Sequence, residues 1–121
     1  MTTPFLALTD EYSAYLHDET KTVGHAETIS FPTTEEEICE TLKTCRAAGV
    51  RVTVQGNRTG LTTASVPYGG HVLSLDRMCG INGMRIGDDG FVYLRVQPGL
   101  SLYALRQKLF SFIPRQPRSF Q

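Results

Sequence analysis

Cysteine is scarce in this chain. Cys39, Cys45 and Cys79 are the three it has, an odd number without zinc-type pair spacing, so neither a disulfide framework nor a structural zinc site is expected. Three free thiols suit a reducing cytoplasm, and Cys45, on a predicted apolar helix face, reads as a buried small hydrophobe. Net charge is lacking too. Twelve basic residues balance twelve acidic ones, which leaves nothing to attract nucleic acid or an anionic membrane. No apolar run approaches the ~20 residues of a membrane span. The opening stretch, MTTPFLALTDEYSAYL, has no basic segment ahead of its apolar residues and does not read as a secretory signal. Internal repeats and low-complexity tracts are absent. What is present, 40% hydrophobic and 20% charged residues over 121 positions, suits one small globular domain or part of a larger one.

The pattern along the chain predicts alternating helices and strands. Residues 9–16 form a short helix with Thr9 as N-cap, and the polar residues 17–26 form a loop. Residues 28–31 are β-like and end at Pro32. Thr33 and Thr34, placed before Glu36 and Glu37, make two overlapping capping boxes. The helix they open carries Ile38, Leu42 and Cys45 on one face, has Lys43 and Arg46 near its cation-favouring end, and stops at Gly49. A strand over 51–54 follows, with Val52 and Val54 on one face, so strand, helix and strand suggest a βαβ unit with a right-handed crossover. After a loop over 55–70 come a strand over 72–75 and a turn over 79–83. A hairpin then turns at Asp89-Gly90, with Val92, Leu94 and Val96 alternating beyond it. Pro98-Gly99 breaks that strand, and Ser101 caps a last helix bearing Leu102, Leu105 and Leu109. The tail, 113–121, has no apolar period. The sum is an α+β domain with a small mixed sheet.

The run QGNRTGL, residues 55–61, carries the chemistry. It leaves a strand and holds two glycines four residues apart. Gripping a pyrophosphate requires close approach of backbone N–H groups, which side chains would obstruct. Gly56 and Gly60 permit that approach; Thr59 adds a hydroxyl, Asn57 an amide and Arg58 a cation. The same residues also suit a sharp connection with no ligand. The loop is neither a P-loop, since no Gly-Lys-Ser/Thr follows, nor a dinucleotide fingerprint, since the third glycine before a helix is missing. His17, His25 and His71 read as solvent-facing or capping residues, Arg77 as a surface residue, and Glu35, Glu36 and Glu37 as acids favoured at a helix N-terminus.

Four stretches in order, SFPTTEEEI (30–38), VRVTVQGNRTGLT (50–62), VPYGGHVLSLDRM (66–78) and VQPGLSLYAL (96–105), together with YLHDETKTVGHAE (15–27), resemble the PCMH-type FAD-binding domain of the vanillyl-alcohol oxidase superfamily, especially its glycolate oxidase and D-lactate dehydrogenase branch. The resemblance implies that FAD is the cofactor and that Gly56, Asn57, Arg58, Thr59, Gly60 and Leu61 wrap its pyrophosphate. It also places Pro67, Gly69, Gly70, Pro98 and Gly99 near the nucleotide, although turn formation explains those five equally well. Some relatives attach the flavin through a histidine in this loop; Asn57-Arg58-Thr59 offers none. Residues 1–25 then read as an N-terminal helix and loop, 26–112 as the first subdomain of the FAD-binding domain and 113–121 as a truncated tail. The expectation is a cytoplasmic, N-terminal fragment of an FAD-linked oxidase or dehydrogenase, inactive alone. Its partners would be the remaining FAD-binding and cap domains, with self-association of the fragment. Within that family the implied reaction is hydride transfer from a small-molecule substrate, a 2-hydroxy acid, to FAD, and the sequence names no catalytic residue. Two other readings stay open: a complete, non-enzymatic α+β module binding a phosphate-bearing ligand or a protein partner, and the same fold serving a peptidoglycan-precursor reductase or an alkylglycerone-phosphate synthase.

Overall fold

A computed structural model describes residues 3–59 and 63–112. Its elements are β1 (Leu6–Ala7), a 3-10 helix (Asp10–Leu16), β2 (Thr28–Ser30), α1 (Glu35–Ala48), β3 (Val52–Gln55), β4 (His71–Ser74), β5 (Ile81–Ile86), β6 (Val92–Val96) and α2 (Leu102–Phe112). They form the expected α+β mixture, with one four-stranded sheet in the order β1-β2-β4-β3 and a separate hairpin, β5-β6. Strands β2 and β3 both run parallel to β4, and β1 joins antiparallel at the edge. The βαβ unit is therefore real but not contiguous: β4 enters later and fills the gap between the two strands that α1 connects. A central parallel strand is covered on both faces, and all four residues of β4 are buried.

Helix α1 forms as its local signals dictate. Thr34 Oγ1 accepts from Glu37 N at 3.2 Å, so the second of the two capping patterns is the one used. The reciprocal bond lands one residue early, where Thr33 N donates to Glu37 Oε2 at 2.8 Å. That bond and one from Thr3 Oγ1 hold the Glu37 carboxyl below its usual range. At the other end Gly49 takes φ +68°, with Gly49 N donating to Arg46 O and Val50 N to Cys45 O, the pair of bonds of a Schellman stop. The buried face differs from the expected one. Thr41 and Cys45 are buried while Leu42 is 42% exposed, because the helix turns Thr41 rather than Leu42 to the sheet. Burial raises the pKa of the Cys45 thiol, in keeping with an inert packing role.

Four other expectations are corrected. The first helix is 3-10, with Tyr12 outside helical geometry, and the Thr9 side chain makes no capping bond. The strand expected over 51–54 runs over Val52–Gln55, and its last residue, Gln55, is fully buried. The turn placed at 79–83 is already strand from Ile81, with a register irregularity between Ile81 and Gly83. His71 faces no solvent: its exposure is 0%. Thr28 Oγ1 and Ser30 Oγ lie 2.7 Å from its two ring nitrogens, Phe5 stacks on it at 4.1 Å, and burial lowers its pKa to about 4. The other sheet face carries the apolar core, Ile29, Phe31 and Val72, packed by Leu6, Leu8, Tyr12, Tyr15 and Ala26.

Candidate functional site

In open α/β sheets ligands sit beyond the carboxyl ends of parallel strands, and residues 56–59 leave the carboxyl end of β3 at that edge. The buried Gln55 anchors them. Its Nε2 donates to Tyr15 O at 2.5 Å and to Ser65 O at 2.7 Å, which ties the start of the loop to its returning limb and to the 3-10 helix. Its backbone carbonyl accepts from Leu75 N at 2.9 Å, joining the loop to the end of β4.

Arg58 has φ +58°, a left-handed conformation uncommon for a residue with a side chain. Its guanidinium turns inward. It lies 4.3 Å from the centroid of the Tyr15 ring and 3.5 Å from Asp76 Oδ2. Tyr15 OH donates to the same Asp76 oxygen at 2.6 Å. Burial first, then that hydrogen bond, pushes the Tyr15 pKa up to about 12, so the phenol remains a donor. The Arg58 cation, expected to reach for phosphate, is thus already engaged by a carboxylate and an aromatic face.

The backbone offers the free donors. No hydrogen bond among the described residues uses the N–H groups of Gly56, Asn57, Arg58 or Thr59. A Cβ built on Gly56 meets only Pro98 O, at 3.8 Å, so the space beside Gly56 is open. Ser65 Oγ and Gln55 Oε1 are buried at the base of the loop without hydrogen-bond partners, the first a hydroxyl that can donate and the second an acceptor, while Arg58 Nη1 is buried against Asp76 in an ion pair. The unused amides, the Ser65 hydroxyl and the open space beside Gly56 form a donor set that fits an anionic, oxygen-rich group such as a pyrophosphate.

The other expected contacts divide between two edges of the sheet. Pro98 and Gly99 lie at the same edge as the loop: Gly99 N donates to Met78 O at 2.8 Å, and a Cβ on Gly99 would come within 1.8 Å of Leu75 O. That crowding explains the glycine by packing. Pro67, Gly69 and Gly70 lie at the opposite edge, roughly 15 Å away along β3. Pro67 O accepts from His25 N, Gly69 N donates to His25 O at 2.7 Å, and Gly70 N donates to the Glu27 carboxylate. Their amides are spent inside the fold. Gly60 and Leu61 lie outside the described residues. From the sequence, Tyr15, Ser65 and Asp76 are not singled out for the site, and Gln55, the first residue of the run, has no anchoring role. The one local signal was a glutamine at the end of an apolar strand.

No helix among the described residues is long and apolar enough to cross a membrane. No group of three or more His, Cys, Asp or Glu among them could hold a metal ion. No curated protein matches the chain. Solved structures with a similar fold include aclacinomycin oxidoreductase, with TM-score 0.71, 15% identity and 92% of this chain covered. The xylooligosaccharide oxidase from Myceliophthora thermophila C1 gives TM-score 0.67, 19% identity and 91% coverage. The glucooligosaccharide oxidase from Acremonium strictum, which carries 6-S-cysteinyl, 8α-N1-histidyl FAD, gives 0.66, 18% and 90%. The chain spans 22–23% of the length of each. A family model described as "FAD binding domain" matches residues 26–114, and this match shows that the chain belongs to the PCMH-type FAD-binding domains, with FAD as its cofactor.

Proposed function

We propose that residues 56–61 hold the pyrophosphate of FAD, with the backbone amides of 56–59 as the principal donors and Pro98-Gly99 closing one side. Pro67, Gly69 and Gly70 then shape the sheet's other edge. The observation that carries this reading is the run of four unused amides at the carboxyl end of β3, with open space beside Gly56, in a chain of this family. Residues 56–59 would hold and orient FAD, which when bound would supply an acceptor for a hydride from a substrate carbon. Asn57, Arg58 and Thr59 offer no histidine, so the flavin is held without a covalent bond at this loop. The test exploits Gly56, where a side chain fits without a clash and points into the approach path. Gly56→Leu should weaken FAD affinity about tenfold or more without moving the melting temperature, as read by quenching of flavin fluorescence with protein in excess. Equal quenching by wild type and variant, or none by either, overturns the proposal.

For the whole protein we propose an FAD-dependent oxidoreductase acting on a 2-hydroxy acid, with the rest of the FAD cradle and the substrate cap supplied outside residues 26–112. Support comes from the ordered stretches shared with the glycolate oxidase and D-lactate dehydrogenase branch. A second reading is favoured by the oligosaccharide oxidases among the similar structures, which would make the substrate a sugar. Anaerobic flavin bleaching by lactate or glycolate, but not by xylobiose, supports the first; the reverse pattern overturns it in favour of the second.

A further inference from the structure

Tyr15 lies outside the residues matched by the family model, which begin at 26, yet it touches the loop assembly at three points. Its carbonyl accepts from Gln55 Nε2, its hydroxyl donates to Asp76, and its ring lies under the Arg58 guanidinium. Its ring also meets Phe31 edge-on, at 5.5 Å between centroids, which roots it in the apolar core. We propose that Tyr15 is a positioning residue for the phosphate-binding loop: it latches the 3-10 helix to Arg58 and Asp76 and thereby holds residues 56–59 with their amides turned outward.

The physical case rests on Arg58. A left-handed backbone at a residue with a Cβ is unfavourable and persists only when its surroundings over-determine it. Here the determinants are all on the side chain: a carboxylate, an aromatic face and burial. Removing the ring removes the surface on which the guanidinium stacks, and removing the hydroxyl frees Asp76 from its second anchor. Either change lets Arg58 swing out and relax its backbone, which scatters the neighbouring amides. The latch also keeps Asp76 neutralised, so a carboxylate beside the loop does not repel the incoming anion.

This inference rests on the phosphate reading of the loop, and the test separates the two. The 121-residue chain, labelled with ¹⁵N, is titrated with inorganic pyrophosphate while the amide shifts of residues 56–59 are followed. Tyr15→Leu should weaken binding about tenfold and Tyr15→Phe, which keeps the ring, only about threefold. Tyr12→Leu is the packing control, because Tyr12 meets Phe31 and Tyr15 in the same core but makes no hydrogen bond or ring contact with the described loop residues 56–59. It should lower the melting temperature about as much while leaving pyrophosphate affinity unchanged. Wild-type affinity in Tyr15→Leu, or equal weakening in Tyr12→Leu, overturns the latch. If pyrophosphate moves no shift even in the wild type, the phosphate reading fails and the latch is judged without ligand. In that case ¹H–¹⁵N NOE values at residues 56–59 should drop in Tyr15→Leu and not in Tyr12→Leu, and unchanged values overturn it.

Discussion

His71 begins the central strand with its ring enclosed by Thr28 Oγ1, Ser30 Oγ and Phe5. The two hydroxyls satisfy a neutral imidazole, one as donor and one as acceptor, but nothing beside the ring offers a negative charge to a protonated one. Its pKa of about 4 in the fold lies below the ~6.5 of an unfolded histidine. Between those values the unfolded chain binds a proton that the folded chain refuses. The stabilisation is complete above the unfolded pKa and is lost as the pH falls through 6.5 toward 4. The size is about 3 kcal/mol. Urea midpoints should therefore fall steadily from pH 6.5 to about pH 5.5, above the range where carboxylates such as Glu37 and Asp89 titrate. His71→Gln should flatten that slope; an unchanged slope would assign it to another group. A solvent-facing histidine, as the sequence suggested, would show no such loss.

At the scale of elements, legibility followed the range of the interactions. Helix α1 was readable because Thr34, Glu37 and Gly49 act within one turn of where they stand. Thr34→Ala should cost about 1 kcal/mol by loss of the Oγ1 cap, measured by chemical denaturation. Thr33→Ala should cost less, since its bond to Glu37 comes mainly from the backbone amide. The Asp89-Gly90 hairpin and the Ser101 cap of α2, where Ala104 N donates to Ser101 Oγ at 3.0 Å, were readable for the same reason. The short first helix lies where the sequence places it, but Tyr12 and Tyr15 packing on Phe31 hold it and not the expected Thr9 cap. The insertion of β4 between β2 and β3 leaves no local mark. Within the site, two glycines marked the loop, whereas its supports join residues 40 and 61 positions apart. A strand-end glutamine and a strand-end aspartate give no sign of meeting the same tyrosine.

The whole molecule is covered unevenly. The four-stranded sheet buries its central strand on both faces, but the β5-β6 hairpin leaves Met84, Ile86, Phe91 and Val92 exposed. On α2 the exposed apolar residues are Leu102, Tyr103 and Phe110, with Leu105 and Leu109 half-buried, so the predicted leucine stripe is only partly turned outward. A two-stranded hairpin also presents two unpaired edges, each a template for another strand. Exposed apolar surface of this extent drives association when nothing else covers it, and a net charge of zero at neutral pH supplies no long-range repulsion to oppose it. The chain alone should therefore self-associate through the hairpin and α2, while the sheet edge bearing residues 56–59 stays free. Sedimentation velocity should show a coefficient that rises with protein concentration. Ile86→Lys combined with Leu102→Lys should hold it at the monomer value, because each charge sits in the centre of one exposed apolar group (Ile86 is 74% exposed and Leu102 83%) and meets no partner in the fold. Association that survives both lysines would place the contact elsewhere. Association that disappears in Gly56→Leu would put it at the loop itself, against an edge that stays open to FAD.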